Sequence, residues 1–566
     1  MMVLLFMPDT KIIATMGPAS AHITVLEKMA KNGLSAVRIN TAHAEPGYIA
    51  SIKKMVDEVN KKLGTYIGVL VDLKGPELRT GEFPGGGFDV KAGSKYVLAP
   101  EGTKGDVFTI NHPAILNSLS TNDLILMSDG RFRFRVVKSE GDSVTVKSLD
   151  SGKMRDRSRI NVPGKYLDLG VLTERDMMFL REGIKENVEF FALSFVQKKE
   201  NVEHLQKQIM MNGGDQLIVS KIETKSGLQN IKTISRVSDL VMVARGDLGV
   251  ELPLEEVVVA QKKIIEESHK YGVPTIVATQ MLESMVSSSS PTRAEVSDVT
   301  NAIMDNTDCL MLSEETAIGK FPVEAVEYLG KISSYVEEKV ADFREPYEFL
   351  GNRVAYSIAK AAKVVAAEIE ADGIVAFTKS GNTAKMISAV RPCVPIYTMV
   401  MDSHLGRKLN LFRGVRPVKI DVGDYQGNDL YETIMSAEKC LKLRKGSRLV
   451  ITSGAPNFLF GGTNDVMVST FGKFLGRGYP VGKSFRGKVA GNHLKGDILI
   501  VNDDVSEPRD EFKIYRGIIF TGKASHDVMD SLNAMGISVL YNTKIKEKIS
   551  EGDQIFVDGY TGIINS

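Results

Sequence analysis

Eight short β-rich runs, most of them separated by helical patterns, limit what the first part of this chain can fold into. They are KIIATMG from Lys11, AVRIN from Ala36, GVLVDL from Gly68, EFFALSF from Glu189, QLIVSKIE from Gln216, LVMVARG from Leu240, TIVATQ from Thr275 and CLMLSEE from Cys309. The intervening segments include amphipathic stretches such as VVVAQKKIIEESHKYG from Val257. Alternating strand and helix calls for parallel strands with crossover helices. Eight such units predict a closed (β/α)8 TIM barrel with its chemistry at the C-terminal strand ends.

One interval breaks the alternation. Residues 77–163 alternate apolar and polar positions between Gly-rich turns (GFDVKAGSKYVL, RFRFRVV, DSVTVKSL), which predicts a small β-barrel lid domain inserted after the third barrel strand. The barrel is then assembled from residues 1–76 and 164–340. Residues 341–475 start a new α/β pattern. The helix VAYSIAKAAKVVAAEIEA leads into five strands (GIVAFT, PIYTMV, VRPVKID, SRLVITSG, DVMVSTF), with helices from Asn382, near His404 and from Asn428. A Gly-rich link, FGKFLGRGYPVGKSFRGK, begins the remainder, 476–566, which carries an extra C-terminal domain. A chain of 566 residues, 43% hydrophobic and 25% charged, has room for these cores.

The net charge of +1 gives no general attraction to nucleic acid or acidic lipid. Cys309, Cys393 and Cys440 are far apart, with neither metal-ligand spacing nor a disulfide framework, which points to the cytoplasm. The opening MMVLLFMPDT is too short for a signal peptide or a membrane span.

Three hydrophobic runs end in polar clusters: Lys221-Ile222-Glu223, Ala244-Arg245-Gly246-Asp247 and Ala278-Thr279-Gln280. Charge at the edge of a core is costly unless it acts together. A single Lys-x-Glu on a strand is ordinarily a rim pair; clusters at successive strand ends are not. Lys221 and Glu223, two apart, point the same way. Glu223 and Asp247 can ligate a hard cation such as Mg²⁺, with Lys221 facing a substrate anion. Backbone N–H groups of Ala244 to Asp247 can hold a carboxylate, and Thr279 lies at the next strand end. Upstream, Arg38, Asn40 and His43 end the second strand, while Asp72, Lys74, Glu77 and Arg79 follow the third. Lysine, arginines, a divalent cation and a hydroxyl are the parts of phosphoryl transfer. Neither a P-loop nor a kinase-type Gly-rich loop is present.

From Thr10 to about Thr470, the segments TKIIATMGPAS, AVRIN with His43, DLKGPELRT, SDGRF, NVPG, SFVQKKENV, KIETKSGLQNI, VMVARGDLGVELP, ATQMLESM, PTRAEVSDVTNAIMD and MLSEETAIGKFPVEAV together resemble the pyruvate kinase family. The resemblance implies transfer of the phosphoryl group of phosphoenolpyruvate to ADP, giving pyruvate and ATP, usually in a homotetramer. It also implies Mg²⁺ (or Mn²⁺) on Glu223 and Asp247, and Lys221 stabilising the moving phosphoryl group. Arg38 matches a phosphate-binding arginine, and Thr279 a threonine near the enolate carbon. Ala244, Arg245, Gly246 and Asp247 fall around the substrate; Asn40, His43 and Arg79 fall on the nucleotide side.

The departures concern the monovalent cation and the nucleotide. The family commonly holds K⁺ in the segments RLNFSH and DTKGPEIRT; here Asn40 and Asp72 stand, but Ala42 replaces the serine and Leu73 the threonine, leaving Leu73 only its carbonyl. Glu77, typical of members that require K⁺, is retained. In SGETAKG the lysine becomes Ile318. Thr378, Lys379, Ser380, Gly381, Asn382 and Thr383 follow a strand and open a helix, an anion site or simply a capped helix start. They resemble the family's effector loop for a phosphorylated metabolite, with Ser453 to Asn464 as a closing loop. The tail resembles the swivelling phosphohistidine domain of phosphoenolpyruvate-utilising enzymes, with His526 at the phosphorylated position, but Ala524 and Asp527 depart from that pattern. An adjacent carboxylate repels a phosphohistidine, favouring a structural or assembly role. Two rival readings are a phosphotransferase acting through His526 and an inactive metabolite sensor.

Overall fold

All eight runs become strands of one closed parallel barrel: β1 Lys11–Thr15, β2 Leu34–Asn40, β3 Gly68–Leu73, β4 Phe190–Leu193, β5 Leu217–Ile222, β6 Leu240–Ala244, β7 Thr275–Ala278 and β8 Cys309–Leu312. The computed structural model describes residues 7–566 apart from 84, 104–106, 340–347, 421–439, 442, 444–445, 454–464, 473 and 492–494. The strands read as continuous apolar runs because both faces are buried. Ile13, Ala36, Leu70, Val219, Met242, Ile276 and Met311 fill the interior. Their neighbours Ile12, Val37, Val69, Ile218, Val241, Val277 and Leu310 pack outward against the helices. The strand period of two separates the two cores.

The lid builds a core of its own around Phe108, Phe134, Val146 and Met154. Its six-stranded sheet runs in the order Ile160–Asn161, Leu124–Met127, Phe132–Ser139, Val144–Ser148, Lys95–Pro100 and Val107–Ile110, with a two-stranded ribbon of Gly87–Val90 and Gly152–Arg155. Among the described residues the sheet does not close strand to strand. Arg79 and Thr80 join its edges by single bridges to Arg159 and Ile110.

Contacts divide the chain into two compact units, 1–353 with 403–415, and 354–402 with 416–566. In the first unit, helix Ser403–Leu409 lies at the start of β4. There the buried Glu189 carboxylate accepts from the Val69 N–H at 2.8 Å, from His404 Nδ1 at 3.2 Å and from Arg407 Nε. Lys11 Nζ donates to the Val415 carbonyl at 2.6 Å, and Asn410 Nδ2 to the carbonyls of Ser35 and Tyr66.

The second unit holds the five expected strands in the order Val415–Lys419, Ile396–Val400, Gly373–Phe377, Arg448–Ser453 and Asp465–Thr470. The helix expected from Asn428 and the loop 454–464 lie outside the described residues. The tail forms a seven-stranded sheet and the helix His526–Ala534. The Gly-rich stretch is no link: it supplies strands Phe474–Val481 and Phe485–Lys488 of that sheet. A Cβ on Gly476 would lie 2.6 Å from the Lys544 carbonyl oxygen, and one on Gly487 2.4 Å from Asp497 Cβ, so these glycines permit close approach rather than flexibility. Thr470 Oγ1 donates to the buried Asp558 carboxylate at 2.9 Å, Asn565 Nδ2 donates to the Thr470 carbonyl at 3.0 Å, and Arg448 stacks over Tyr560 at 4.4 Å. Among the described residues no helix is long and apolar enough to cross a membrane.

Burial pushes the Glu189 carboxyl up, but His404, Arg407 and Lys53 outweigh it and hold the group below its ordinary 4.5. Its contribution to stability is therefore complete above the unfolded value and fades as pH falls through the lower folded value. Glu189→Ala leaves Arg407 only the half-exposed Asp57 at 3.8 Å and is expected to cost about 3 kcal/mol. Denaturant unfolding at neutral pH checks this, with the gap between wild type and variant closing in acid; equal midpoints at neutral pH refute it.

Candidate active site

Every strand of the barrel ends in a polar group at the same mouth. Thr15 closes β1, Arg38 and Asn40 lie at the end of β2, and Asp72 near the end of β3 pairs in register with Asn40. Ser194 follows β4, Lys221 and Glu223 lie at the end of β5, Ala244 to Asp247 at β6, Thr279 after β7 and Ser313 after β8.

Lys221 is the centre of this ring. Its buried ammonium lies 2.9 Å from Glu223 Oε1 and 3.1 Å from Asp72 Oδ1, and donates to Ser194 Oγ at 2.8 Å. The Lys221–Glu223 contact realises the two-residue spacing read from sequence. Burial favours loss of the Lys221 proton, but Asp72 and Glu223 outweigh it and hold the ammonium above its ordinary range. Arg38 grips the other oxygen of Asp72, with Nε at 2.8 Å, and reaches Thr15 Oγ1 at 3.1 Å. Burial raises Asp72, yet Lys221 and Arg38 together carry it below the usual carboxylate range.

Glu223 behaves differently. Its second oxygen accepts from the Phe195 N–H at 2.8 Å, yet the carboxyl is pushed up to about 7, chiefly by burial. Lys221 opposes that rise and Asp247 adds to it. Glu223 and Asp247 thus form a pair of mutually repelling carboxylates. Asp247 accepts from Arg159 NH1 of the lid at 2.5 Å.

Thr279 and Gln280 take left-handed backbone conformations, φ +68° and +56°, uncommon for residues with side chains. Arg245 holds them there: NH2 donates to the carbonyls of Thr279 at 2.7 Å and Gln280 at 3.1 Å, while NH1 is anchored on Asp298 at 2.8 Å. The Thr279 hydroxyl donates to the Ala278 carbonyl at 2.6 Å and accepts from the Gly246 N–H at 2.9 Å. The Arg245 guanidinium therefore faces the protein, and the Gly246 N–H is engaged by Thr279.

Of the residues expected on the nucleotide side, Arg79 is paired with Glu77 at 2.7 Å, His43 is exposed, and Asn40 Oδ1 accepts from the Ala42 N–H at 3.1 Å. The buried Leu73 offers only its carbonyl, which accepts from Ser194 Oγ at 2.8 Å. In the second unit, Gly381 at φ +88° turns the loop Thr378 to Thr383 into helix Asn382–Ala389, with its N–H on Thr378 Oγ1 at 2.8 Å; Lys379, Ser380 and Asn382 are exposed.

Ser194, Asp298 and Arg159 escaped the sequence reading. Ser194 carried the same signal as the other strand ends, a polar residue after a buried run. Arg159 and Asp298 carried none, since their partners lie 88 and 53 residues away.

A barrel whose strand-end cations surround paired carboxylates is a phosphoryl-handling enzyme of the (β/α)8 type. The family model "Pyruvate kinase, barrel domain" matches residues 7–326, and "Pyruvate kinase, alpha/beta domain" matches 356–469. A pyruvate kinase of Thermoplasma acidophilum is 49% identical over 555 residues, 98% of each chain. One from Thermotoga maritima is 35% identical over 464 residues, 82% of this chain and 99% of the relative. The crystal structure of a Cryptosporidium parvum pyruvate kinase superposes with a TM-score of 0.76 at 30% identity, covering 82% of this chain and 96% of that one. The chain belongs to the pyruvate kinase family. It transfers the phosphoryl group of phosphoenolpyruvate to ADP, forming pyruvate and ATP in glycolysis, and dependence on Mg²⁺ and K⁺ is typical of the family.

Arg245→Met or Asp298→Asn should release the Thr279 turn. We expect kcat to fall about tenfold or more with smaller changes in KM, because a misplaced group costs rate more than affinity. Steady-state kinetics beside thermal midpoints check this, and an unchanged kcat refutes it.

Proposed function

We propose that Lys221, Arg38 and Thr279 act directly on phosphoenolpyruvate, with Glu223 and Asp247 holding Mg²⁺ (or Mn²⁺). The observation that carries this reading is the buried Lys221 ammonium between Asp72 and Glu223, beside a second carboxylate. Glu223 and Asp247 suit a hard cation: the Asp247 charge, near enough to help raise the Glu223 carboxyl, leaves with it negative charge that a cation removes. When bound, Mg²⁺ supplies Lewis-acid polarisation of the phosphoryl oxygens. Lys221, held protonated, neutralises the charge on the phosphoryl group as its bond to the enolate oxygen breaks. Arg38, fixed through Asp72, binds a further phosphoryl oxygen. The N–H groups of Ala244 to Asp247 face the substrate carboxylate once the Gly246 N–H leaves Thr279 Oγ1. The Thr279 hydroxyl sits in the path by which the enolate carbon gains its proton. Asn40, His43 and Arg79 line the approach of ADP.

The monovalent set of Asn40, Asp72 and Leu73 offers a weaker fit. Asp72 lies between two cations, the Leu73 carbonyl and Asn40 Oδ1 each spend one lone pair within the protein, and Ala42 has no hydroxyl. We expect K⁺ stimulation that saturates only at high concentration. A K⁺ titration of the activity showing no response removes this site.

The loop Thr378 to Thr383, with exposed Lys379 and Ser380, suits a phosphorylated effector. Helix Leu254–His269 leaves Leu254, Val258 and Val259 exposed, which supports self-association, with the family's homotetramer as the state. A monomer in light scattering refutes it. That Cys309, Cys393 and Cys440 form no disulfide supports a cytoplasmic location. In the tail, which we read as the domain similar to phosphoenolpyruvate-utilising enzymes, exposed His526 follows the capping Ser525. The Thr470–Asp558 and Arg448–Tyr560 contacts favour a structural role over a phosphocarrier. That a Thermotoga relative is matched over 99% of its length by 82% of this chain supports a tail outside the chemistry.

A coupled assay of pyruvate release from phosphoenolpyruvate, ADP and Mg²⁺ tests the reading. Lys221→Met should lose about a hundredfold or more in kcat, while His526→Ala keeps the wild-type rate. Wild-type rate in Lys221→Met, or collapse in His526→Ala, would reverse the assignment.

A further inference from the structure

Arg159 has no task in the reaction as described so far, yet its surroundings are those of a functional cation. It comes from the lid, next to strand Ile160–Asn161, and reaches the barrel mouth. Its side chain is 14% exposed, its guanidinium lies 4.8 Å from the centre of the Phe195 ring, and NH1 donates to Asp247 Oδ1 at 2.5 Å. The lid is seated alongside it, where Asn161 Nδ2 donates to the buried Glu251 carboxylate at 3.0 Å. Each other cation of the mouth keeps a carboxylate outside the proposed divalent pair: Lys221, though also on Glu223, shares Asp72 with Arg38, and Arg79 lies on Glu77. Arg159 alone among these four has as its one ion-pair partner a carboxylate assigned to a divalent cation.

That difference has a chemical consequence. A cation entering between Glu223 and Asp247 takes the negative charge that Arg159 needs and adds positive charge beside it. A largely buried guanidinium cannot be left without an anion. The anion that enters with the metal is the phosphoryl group of the substrate, whose oxygens match the planar fork of arginine. We propose that Arg159 is a phosphate-binding residue that exchanges the Asp247 carboxylate for phosphoryl oxygens of the substrate when a divalent cation binds. This rests on the reading of Asp247 as a metal ligand. In the metal-free protein Arg159 competes with the cation for Asp247; in the loaded one it draws the lid onto the phosphoryl group. Metal and substrate then reinforce each other through a residue of the lid.

Arg159→Met keeps the stem that covers Phe195 and removes the charge. Mn²⁺ alone, titrated calorimetrically into the full chain, should bind about tenfold more tightly to this variant than to wild type, because the competing cation is gone. In the same variant kcat/KM for phosphoenolpyruvate should fall about a hundredfold, as for loss of one donor to a developing charge. Arg159→Lys, which keeps charge but not the fork, should lie between, and thermal midpoints confirm that both variants fold. Unchanged Mn²⁺ affinity or unchanged kcat/KM in Arg159→Met overturns the inference. Asp247→Asn separates the levels: if it leaves Mn²⁺ binding intact, the assignment of Asp247 itself fails; if it weakens Mn²⁺ while Arg159→Met has no effect, only the role of Arg159 fails.

Discussion

An ammonium group buried at the end of a strand persists only where carboxylates and hydroxyls surround it. Lys221 meets that condition through Asp72, Glu223 and Ser194, drawn from the ends of three different strands. Arg38 then pairs with the remaining oxygen of Asp72 and ties in a fourth. The network resists removal of any one member, since each would leave an uncompensated charge in a desolvated place. It also keeps Lys221 protonated, the state in which it can neutralise a phosphoryl group. Stability and chemistry make the same demand here: a barrel that satisfies its buried charges is already arranged to receive an anion.

The second carboxylate breaks that balance. Asp72 has a cation on each side, whereas Glu223 and Asp247 share a deficit of positive charge that shows as a Glu223 carboxyl near 7. The lid partly fills the deficit with Arg159. An insertion after β3 thereby becomes part of the mouth rather than a decoration on it. Its own core makes it a separate folding element, while Arg159 and Asn161 at one edge meet the helix after β6.

Away from the mouth, composition misled where close packing decided. Gly-rich sequence after residue 470 reads as a link, yet the same glycines sit where strands press on their neighbours. Gly476 and Gly487 have no room for a Cβ, a requirement that composition expresses identically to flexibility. Arg245 carries a role the sequence does not express. The sequence reads it for its backbone N–H, while its guanidinium is occupied by Asp298 and the carbonyls of a strained turn.

The barrel, the lid as an insertion, the five strands of the α/β domain and the polar strand ends were legible in the sequence by itself. Each leaves a local trace: a period, a run of apolar residues, or a charge at the edge of one. Lys221 and Glu223 could even be placed on one side of a strand. Tertiary structure alone decided which charges meet. Asp72 and Lys221 are 149 residues apart, and Arg159 and Asp247 are 88 apart. No local pattern encodes a pairing that exists only after eight strands close and an inserted domain settles on the mouth, because electrostatic partnership depends on distance in space and burial, and neither is a property of neighbouring residues in the chain.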